Sequence, residues 1–338
     1  MTIFYLIIFI VSLILTWVVR YIAIRKSIID IPNDRSSHAV PTPRGGGLAV
    51  IVVLYAGLAY LFYQKMIQIN LFYALLCGLP LSIIGFADDI LNLKPVVRFF
   101  VQFVCACSAL YILGGLRFLD LGIFALQPAQ NSILSMLLIL FAFIAIIWSI
   151  NLFNFLDGID GYIGSEIVFA GIAIFLLSGE NIGILLATSV GGFLIWNWPK
   201  AKIFMGDVGS TLLGFIVAIM AIYHQNNHIL SIPVWLILTS VFWFDATITL
   251  FRRIKNKEKL SQAHRKHAYQ RIVRAVWSHQ KTTLSALAIN VAGLGLAWLA
   301  NTFKTYSLAF LALDILILYV VLRIIDKKKS FSYGLESA

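Results

Sequence analysis

Apolar blocks of membrane-spanning length recur along the whole chain, and the charged residues are gathered into short segments between them. A bilayer core is crossed by about 20 apolar helical residues. Eleven stretches approach that length: 2–24, 45–63, 70–87, 98–115, 132–151, 166–179, 181–198, 210–225, 231–251, 282–302 and 306–325. The blocks are continuous and do not alternate in polarity, so barrel strands are not expected. A composition that is 60 % hydrophobic and 12 % charged also departs from that of a soluble domain, which is about half apolar. The expectation is an all-α polytopic membrane protein of about 11 transmembrane helices, folded as one domain over residues 1–338.

Orientation follows from where the cations fall. No basic residue precedes the first span, Arg20, Arg25 and Lys26 follow it, and no small-residue cleavage site is evident. The span therefore reads as a retained helix with its N-terminus on the periplasmic side. Continued alternation puts only Lys65, Arg117 and Lys304 outside. The dense run from Arg252 to Lys281 and the C-terminal Lys327, Lys328 and Lys329 then fall in the cytoplasm, as basic residues prefer. The formal charge of +11 is on this reading a membrane-face property. It suits anionic lipid or an anionic substrate, and no nucleic-acid partner is expected. Cys77, Cys105 and Cys107 all lie within spans and read as small buried hydrophobes.

The alternation delivers five loops to one face: 25–44, 88–97, 152–165, 199–209 and 252–281. The first ends in RSSHAVPTPR (Arg35–Arg44) followed by Gly45, Gly46 and Gly47. Backbone N–H groups at that helix start can hold a phosphate, with Arg44 beside them, or the stretch is a plain entry into a helix. The second carries Asp88 and Asp89, whose mutual repulsion a cation or a shared proton relieves. Mg²⁺ is the natural partner, since it takes oxygen ligands and is commonly shared with substrate phosphates. Lys94 and Arg98 stand near enough to meet phosphate oxygens. The third, NLFNFLDGIDG (Asn151–Gly161), places Asp157 and Asp160 on one face of a helical continuation. In the fourth, Asn197 precedes FMGDVGS, where Asp207 sits between two glycines either as a ligand or as a helix cap. The fifth contains His264, Arg265, Lys266 and His267, with the two histidines on one helical face, and a basic segment lying on anionic lipid is its alternative reading. Two carboxylates fall inside spans. Asp245, near the inner end of its helix, is a functional candidate, and Asp314 is expected to pair with a polar group of a neighbouring helix. Carboxylates for a divalent cation, with Arg, Lys and His for phosphates, describe metal-dependent phosphoryl transfer at the cytoplasmic membrane surface.

FADD, NFLDGIDG and FMGDVGS in this order and spacing, with PTPRGGG before them and AHRKHAYQR after, resemble the polyprenyl-phosphate N-acetylhexosamine-1-phosphate transferases over almost the whole chain. The resemblance implies a multi-pass enzyme of the bacterial cytoplasmic membrane. It would pass N-acetylhexosamine 1-phosphate, or a 6-deoxy variant, from a UDP-N-acetylsugar to undecaprenyl phosphate and release UMP, with Mg²⁺ or Mn²⁺ as cofactor. It further implies that Asp88 and Asp89 lie near the lipid phosphate, with Asp88 as the base, in a direct attack. Asp157 and Asp160, with Asn154, would form the nucleotide-side motif. Asp207 is implied as principal metal ligand together with Asp89, and Asn197 as a residue lining the uridine-diphosphate site. His264, Arg265 and His267 replace the histidine run of the best-known members, a pattern that resembles the subgroup starting O-antigen or capsule chains. A homodimer is compatible with the resemblance. Two other readings compete. A CDP-alcohol phosphatidyltransferase keeps its aspartates on one helix pair, not on three loops. An ion-coupled transporter would put its polar residues at mid-bilayer on broken helices.

Overall fold

The computed structural model describes residues 1–32, 40–91, 93–129, 132–260 and 264–331. The Arg35–His38 stretch of the first loop, Asn92 and Ala263 lie outside the described residues. The chain opens with α1 (Thr2–Arg25), and a two-residue strand β1 (Ile29–Asp30) pairs antiparallel with β2 (Thr42–Pro43). Then come α2 (Gly47–Tyr63), the consecutive α3 (Ile69–Leu76) and α4 (Leu79–Leu91), and α5 (Pro95–Leu113). A second strand pair, β3 (Leu119–Asp120) with β4 (Ala125–Leu126), leads to α6 (Ile133–Leu156), α7 (Tyr162–Ser178), α8 (Asn181–Asn197) and α9 (Asp207–Asn226). The remainder is α10 (Ile232–Leu238), α11 (Ser240–Lys255), the short α12 (Ala268–Ala275), α13 (His279–Thr302) and α14 (Ser307–Lys328). The protein is an all-α polytopic membrane protein. The two small strand pairs, not expected from the sequence, close loops and add no sheet.

Every apolar block of the sequence is helical. Among the described residues, seven helical segments are long and apolar enough to cross a membrane, and α10 with α11, bent by 86°, makes an eighth if counted as one span. The three others, α2, α7 and α8, have 17 residues each, or about 25 Å at 1.5 Å per residue. Most boundaries differ in one direction, because helices run on into polar residues. α6 continues through Asn151 and Asn154, α4 through Asp88 and Asp89, and α9 begins at Asp207 itself. Those side chains therefore stand on helix ends and not in flexible loops.

α9 is the axis of the bundle. Its apolar window is 89 % buried, against 17–39 % for the other long segments, whose exposed Leu, Ile and Phe face outward as a membrane helix requires. α9 packs against α6, α4 and α2. Small residues let these backbones meet. A Cβ on Gly85 of α4 would lie 2.6 Å from the Asp207 carbonyl oxygen, and Gly47 of α2 faces Gly209 of α9 just as closely. Backbone bonds sew the approach together, with Gly46 N–H to Phe204 O and Gly47 N–H to Met205 O, both 2.9 Å, and Phe204 N–H to Pro43 O at 2.8 Å. The triglycine N–H groups expected to face a phosphate are thus in part engaged by the Phe204–Met205 backbone. Gly47 and Gly46 fix the start of α9, and Arg44 stands just before them.

Candidate active site

Four carboxylates and two guanidinium groups meet at the N-terminus of α9. Gly206 turns the chain into the helix with φ +77°, a conformation that favours glycine, and a Cβ there would strike the Asp89 carboxylate. Asp89 accepts the N–H groups of Asp207 (3.2 Å) and Val208 (3.4 Å). It caps α9 from a different helix, satisfying amides that a helix start leaves open. Asp207, read as either a cap or a ligand, is itself capped, so its carboxylate is free to face the cavity. Asn154 donates to it at 3.1 Å and Arg98 stands at 3.3 Å, while the Ser210 hydroxyl donates to Asn154 and sets the amide orientation. Arg98 also holds Asp88 at 2.6 Å, and Asp88 accepts the Leu93 N–H at 2.7 Å. Arg44 completes the ring, 3.5 Å from Asp89 and 2.7 Å from Asp30 across the β1–β2 turn.

Asp157 follows the last turn of α6 and accepts a backbone hydrogen bond from Gly206. Burial, reinforced by the charge of Asp207, pushes its pKa up to about 7. The cluster is therefore richer in negative charge than its two arginines comfortably neutralise. Asp160 is placed differently. The helical continuation that would align it with Asp157 ends at Leu156. Its carboxylate turns away to the Ala201 N–H (3.1 Å) and His279 (3.3 Å), and its carbonyl accepts from Thr283. Asn197 is likewise buried and engaged by backbone, accepting from Gly161 N–H at 3.0 Å and donating to Ile203 O at 2.9 Å. Both hold the Asp157–Gly161 turn against its neighbours, and neither lines the carboxylate cluster. His279, the partner of Asp160, lies at the start of an apolar block and carried no signal in the sequence.

The second wall is the stretch before α12. His264 and His267 are not on a helical face, because residues 264–267 precede the helix and α12 begins only at Ala268. Their rings nonetheless lie 5.0 Å apart. Burial, with His267 and Arg253 beside it, pushes His264 down to about 3, so it is a neutral imidazole at physiological pH. His267 stands 3.8 Å from Asp245, which accepts the N–H groups of Ala268 (2.8 Å) and Tyr269 (3.3 Å). Asp245 is thus a cap for α12 and does not reach the carboxylate cluster. Arg265 follows His264 in the chain and is half-buried. Tyr269 donates its hydroxyl to Phe155 O at 3.1 Å, stacks on Tyr162, and fills the space over Gly158. Lys94 is exposed at the start of α5, one turn before Arg98. Deeper, Asp314 bonds Ser240 and Glu166 bonds Asn290. These are interhelical pairs of the sort expected for Asp314, and Glu166 went unnoticed inside an apolar block.

A groove of about 720 Å³ leads into this region. Its apolar side is Phe143, Ile147 and Trp148 of α6 with Leu250 of α11, and its polar end is Arg98, Arg253, His264 and His267. A smaller cavity of about 210 Å³ continues it, past Arg98, Gln102 and Asn151, to Asn154 and Asp207. Gln102, which the apolar pattern hid, and Asn151, the first residue of the NLFNFLDGIDG motif, are bonded at 2.9 Å and form a polar wall. Together the cavities suit an amphiphile whose tail lies among apolar side chains and whose anionic head reaches the carboxylate ring.

Residues 71–225 match the family described as glycosyl transferase family 4. A probable undecaprenyl-phosphate N-acetylglucosaminyl 1-phosphate transferase of Bacillus subtilis is 30 % identical over 333 residues, covering 94 % of this chain and 90 % of that protein. An undecaprenyl-phosphate alpha-N-acetylglucosaminyl 1-phosphate transferase of Yersinia pestis is 27 % identical, over 85 % of this chain and 82 % of its own length. A decaprenyl-phosphate N-acetylglucosaminephosphotransferase of Mycobacterium tuberculosis is 28 % identical, over 79 % and 74 %.

Proposed function

The chain belongs to glycosyl transferase family 4, among the polyprenyl-phosphate N-acetylhexosamine-1-phosphate transferases, and on that footing we propose that it moves N-acetylhexosamine 1-phosphate from a UDP-sugar to undecaprenyl phosphate. The observation that carries this reading is the apolar groove that ends at Arg98 and continues past Asn154 to Asp207, with Asp88 held by the same arginine. A lipid phosphate with its tail in the groove meets Arg98 first, with His264 and His267 on the facing wall. One of its oxygens attacks the β-phosphorus of the UDP-sugar. A new P–O bond forms, the bridge to the α-phosphorus breaks, and UMP leaves. Asp88, held by Arg98, is the acceptor for a proton still on the lipid phosphate, and Arg44 steadies the diphosphate beside Asp89.

The donor set suits Mg²⁺ or Mn²⁺. Asp89, Asp157 and Asp207 offer hard oxygens in one buried cluster whose mutual repulsion calls for a cation. Mg²⁺ is usually held by one or two carboxylates together with substrate phosphates. Asp207 with Asp89 would hold it, and it would supply charge neutralisation at the diphosphate.

The relatives' names make UDP-N-acetylglucosamine the first donor to try. We place the enzyme in the inner membrane, with eleven crossings, the N-terminus periplasmic and the site cytoplasmic, at the first membrane step of O-antigen, capsule or a related polysaccharide. The test uses purified protein, Mg²⁺, undecaprenyl phosphate and a panel of UDP-N-acetylsugars, with UMP as readout. Release that needs both lipid and metal is expected. Silence across the panel from folded protein, or CMP release from CDP-diacylglycerol instead, would overturn the reading.

A further inference from the structure

A second cavity, of about 360 Å³, lies on a different face of α11 from the substrate groove, enclosed by α11, α12, α13 and α14. Its walls are mainly apolar, with Phe244, Ile272, Ile289 and Leu322 among them; Asp245 also lines it, its carboxylate engaged by the Ala268 and Tyr269 N–H groups. Its volume is that of an ordinary ligand pocket. Ser285 and Ala288 of α13 also line a second depression of about 350 Å³, with Ser278, Gln280 and Lys281, so the two spaces share part of one helix wall.

The rim differs sharply from the interior. Lys328 borders the apolar cavity and Lys281 the adjoining depression, with the Lys281 ammonium 4.6 Å from the Trp277 ring. Lys281, Lys327, Lys328 and Arg274 are exposed. A second carboxylate, Asp326, is held by Arg252 at 2.8 Å and Arg271 at 2.7 Å and is not available to neutralise them. Tryptophan beside lysine at a helix end is the side-chain chemistry of a membrane–water interface. An apolar chamber with a cationic rim at headgroup level is complementary to one kind of molecule, an amphiphile with an anionic head.

We propose that this cavity binds one anionic glycerophospholipid, its acyl chain between α11, α13 and α14 and its phosphate between Lys281 and Lys328. The consequence reaches the active site through α12. Ala268 and Tyr269 line the lipid cavity, while His267 and Gln270, their neighbours, line the substrate groove. The short helix is thus a partition with a lipid behind it and a substrate in front. The bound lipid supports the wall that carries His267. This inference does not depend on the transferase reading, because binding itself is the readout.

The test is native mass spectrometry of the full-length protein released from vesicles of phosphatidylcholine, with or without phosphatidylglycerol. One phosphatidylglycerol is expected to remain bound in preference to phosphatidylcholine. A Lys281→Glu/Lys328→Glu variant, altered only at the surface, should retain it roughly tenfold less well or worse. Ala288→Trp, which adds bulk at a residue lining both spaces, should also reduce retention. Equal retention of the two lipids, or phosphatidylglycerol binding unchanged in the lysine variant, overturns the proposal. So does displacement of that lipid by undecaprenyl phosphate, which would make the cavity part of the substrate's path.

Discussion

Asp245, buried in the apolar helix α11, accepts the backbone N–H of Ala268, the first residue of α12, at 2.8 Å. The capping group is supplied from a different helix, so α12 is attached to the bundle by its own N-terminus. Removing a cap costs about 0.5–2 kcal/mol. In Asp245→Ala we expect amide hydrogen exchange across Ala268–Ala275 to accelerate while α9 keeps its protection, and turnover to fall roughly tenfold. Unchanged exchange in α12 would refute the anchoring role.

Asp207 faces the cavity because Asp89 caps α9 in its place. Asp207→Asn preserves size and the contact with Asn154 but removes the charge that would meet a cation. We expect UMP release to drop by about 10²–10³-fold, the usual range for a group acting on developing charge, with the melting temperature within a few degrees of wild type. Near-normal turnover would remove Asp207 from the metal site.

Asp157 gives a pH-dependent signature. Its folded pKa of about 7 lies above its ordinary 3.8, so folding favours the protonated acid. That contribution is complete below pH 3.8 and is lost as pH rises toward 7, because the unfolded chain ionises first. Without added metal, Asp157→Asn should therefore melt higher than wild type at pH 8, by a few degrees, and the difference should shrink toward pH 4. Mg²⁺ should narrow it in wild type at pH 8. A melting difference that does not change with pH would contradict the assignment.

Gly206 combines φ +77° with a carboxylate where a Cβ would go. Gly206→Ala should cost about 1–3 kcal/mol in backbone strain alone. It should also push Asp89 off the α9 amides, so that melting temperature and UMP release fall together. An alanine variant that loses neither would show that the turn relaxes freely.

The fold was legible because bilayer solvation writes itself into long apolar blocks, and each block is helical, two of them as broken pairs, α3 with α4 and α10 with α11. The helix ends were less so. Asn154, Asp88 and Asp207 are polar, so a hydropathy boundary excludes them, although backbone hydrogen bonding carries the helices through them. Asp157, Asp207, Asp88, Asp89, Arg44 and Arg98 do meet, as their spacing suggested. Asp160 does not, because the helix that would have aligned it stops at Leu156. Asp245 was read as a functional carboxylate because burial inside an apolar helix is costly, and the N–H groups that offset the cost lie more than twenty residues away. His279 and Glu166 acquire meaning only through Asp160 and Asn290, contacts between distant segments that no local pattern encodes.

α9, which carries Asp207, is almost wholly enclosed by other helices, whereas the outer helices face the lipid. Membranes of different thickness act on whatever touches them, through tilt and local deformation. Those forces fall on the outer helices, and the helix beneath the carboxylate ring is mechanically shielded. Burial of the central helix beneath lipid-facing outer helices thus separates the reacting groups from the surface on which bilayer thinning, thickening or phase change acts.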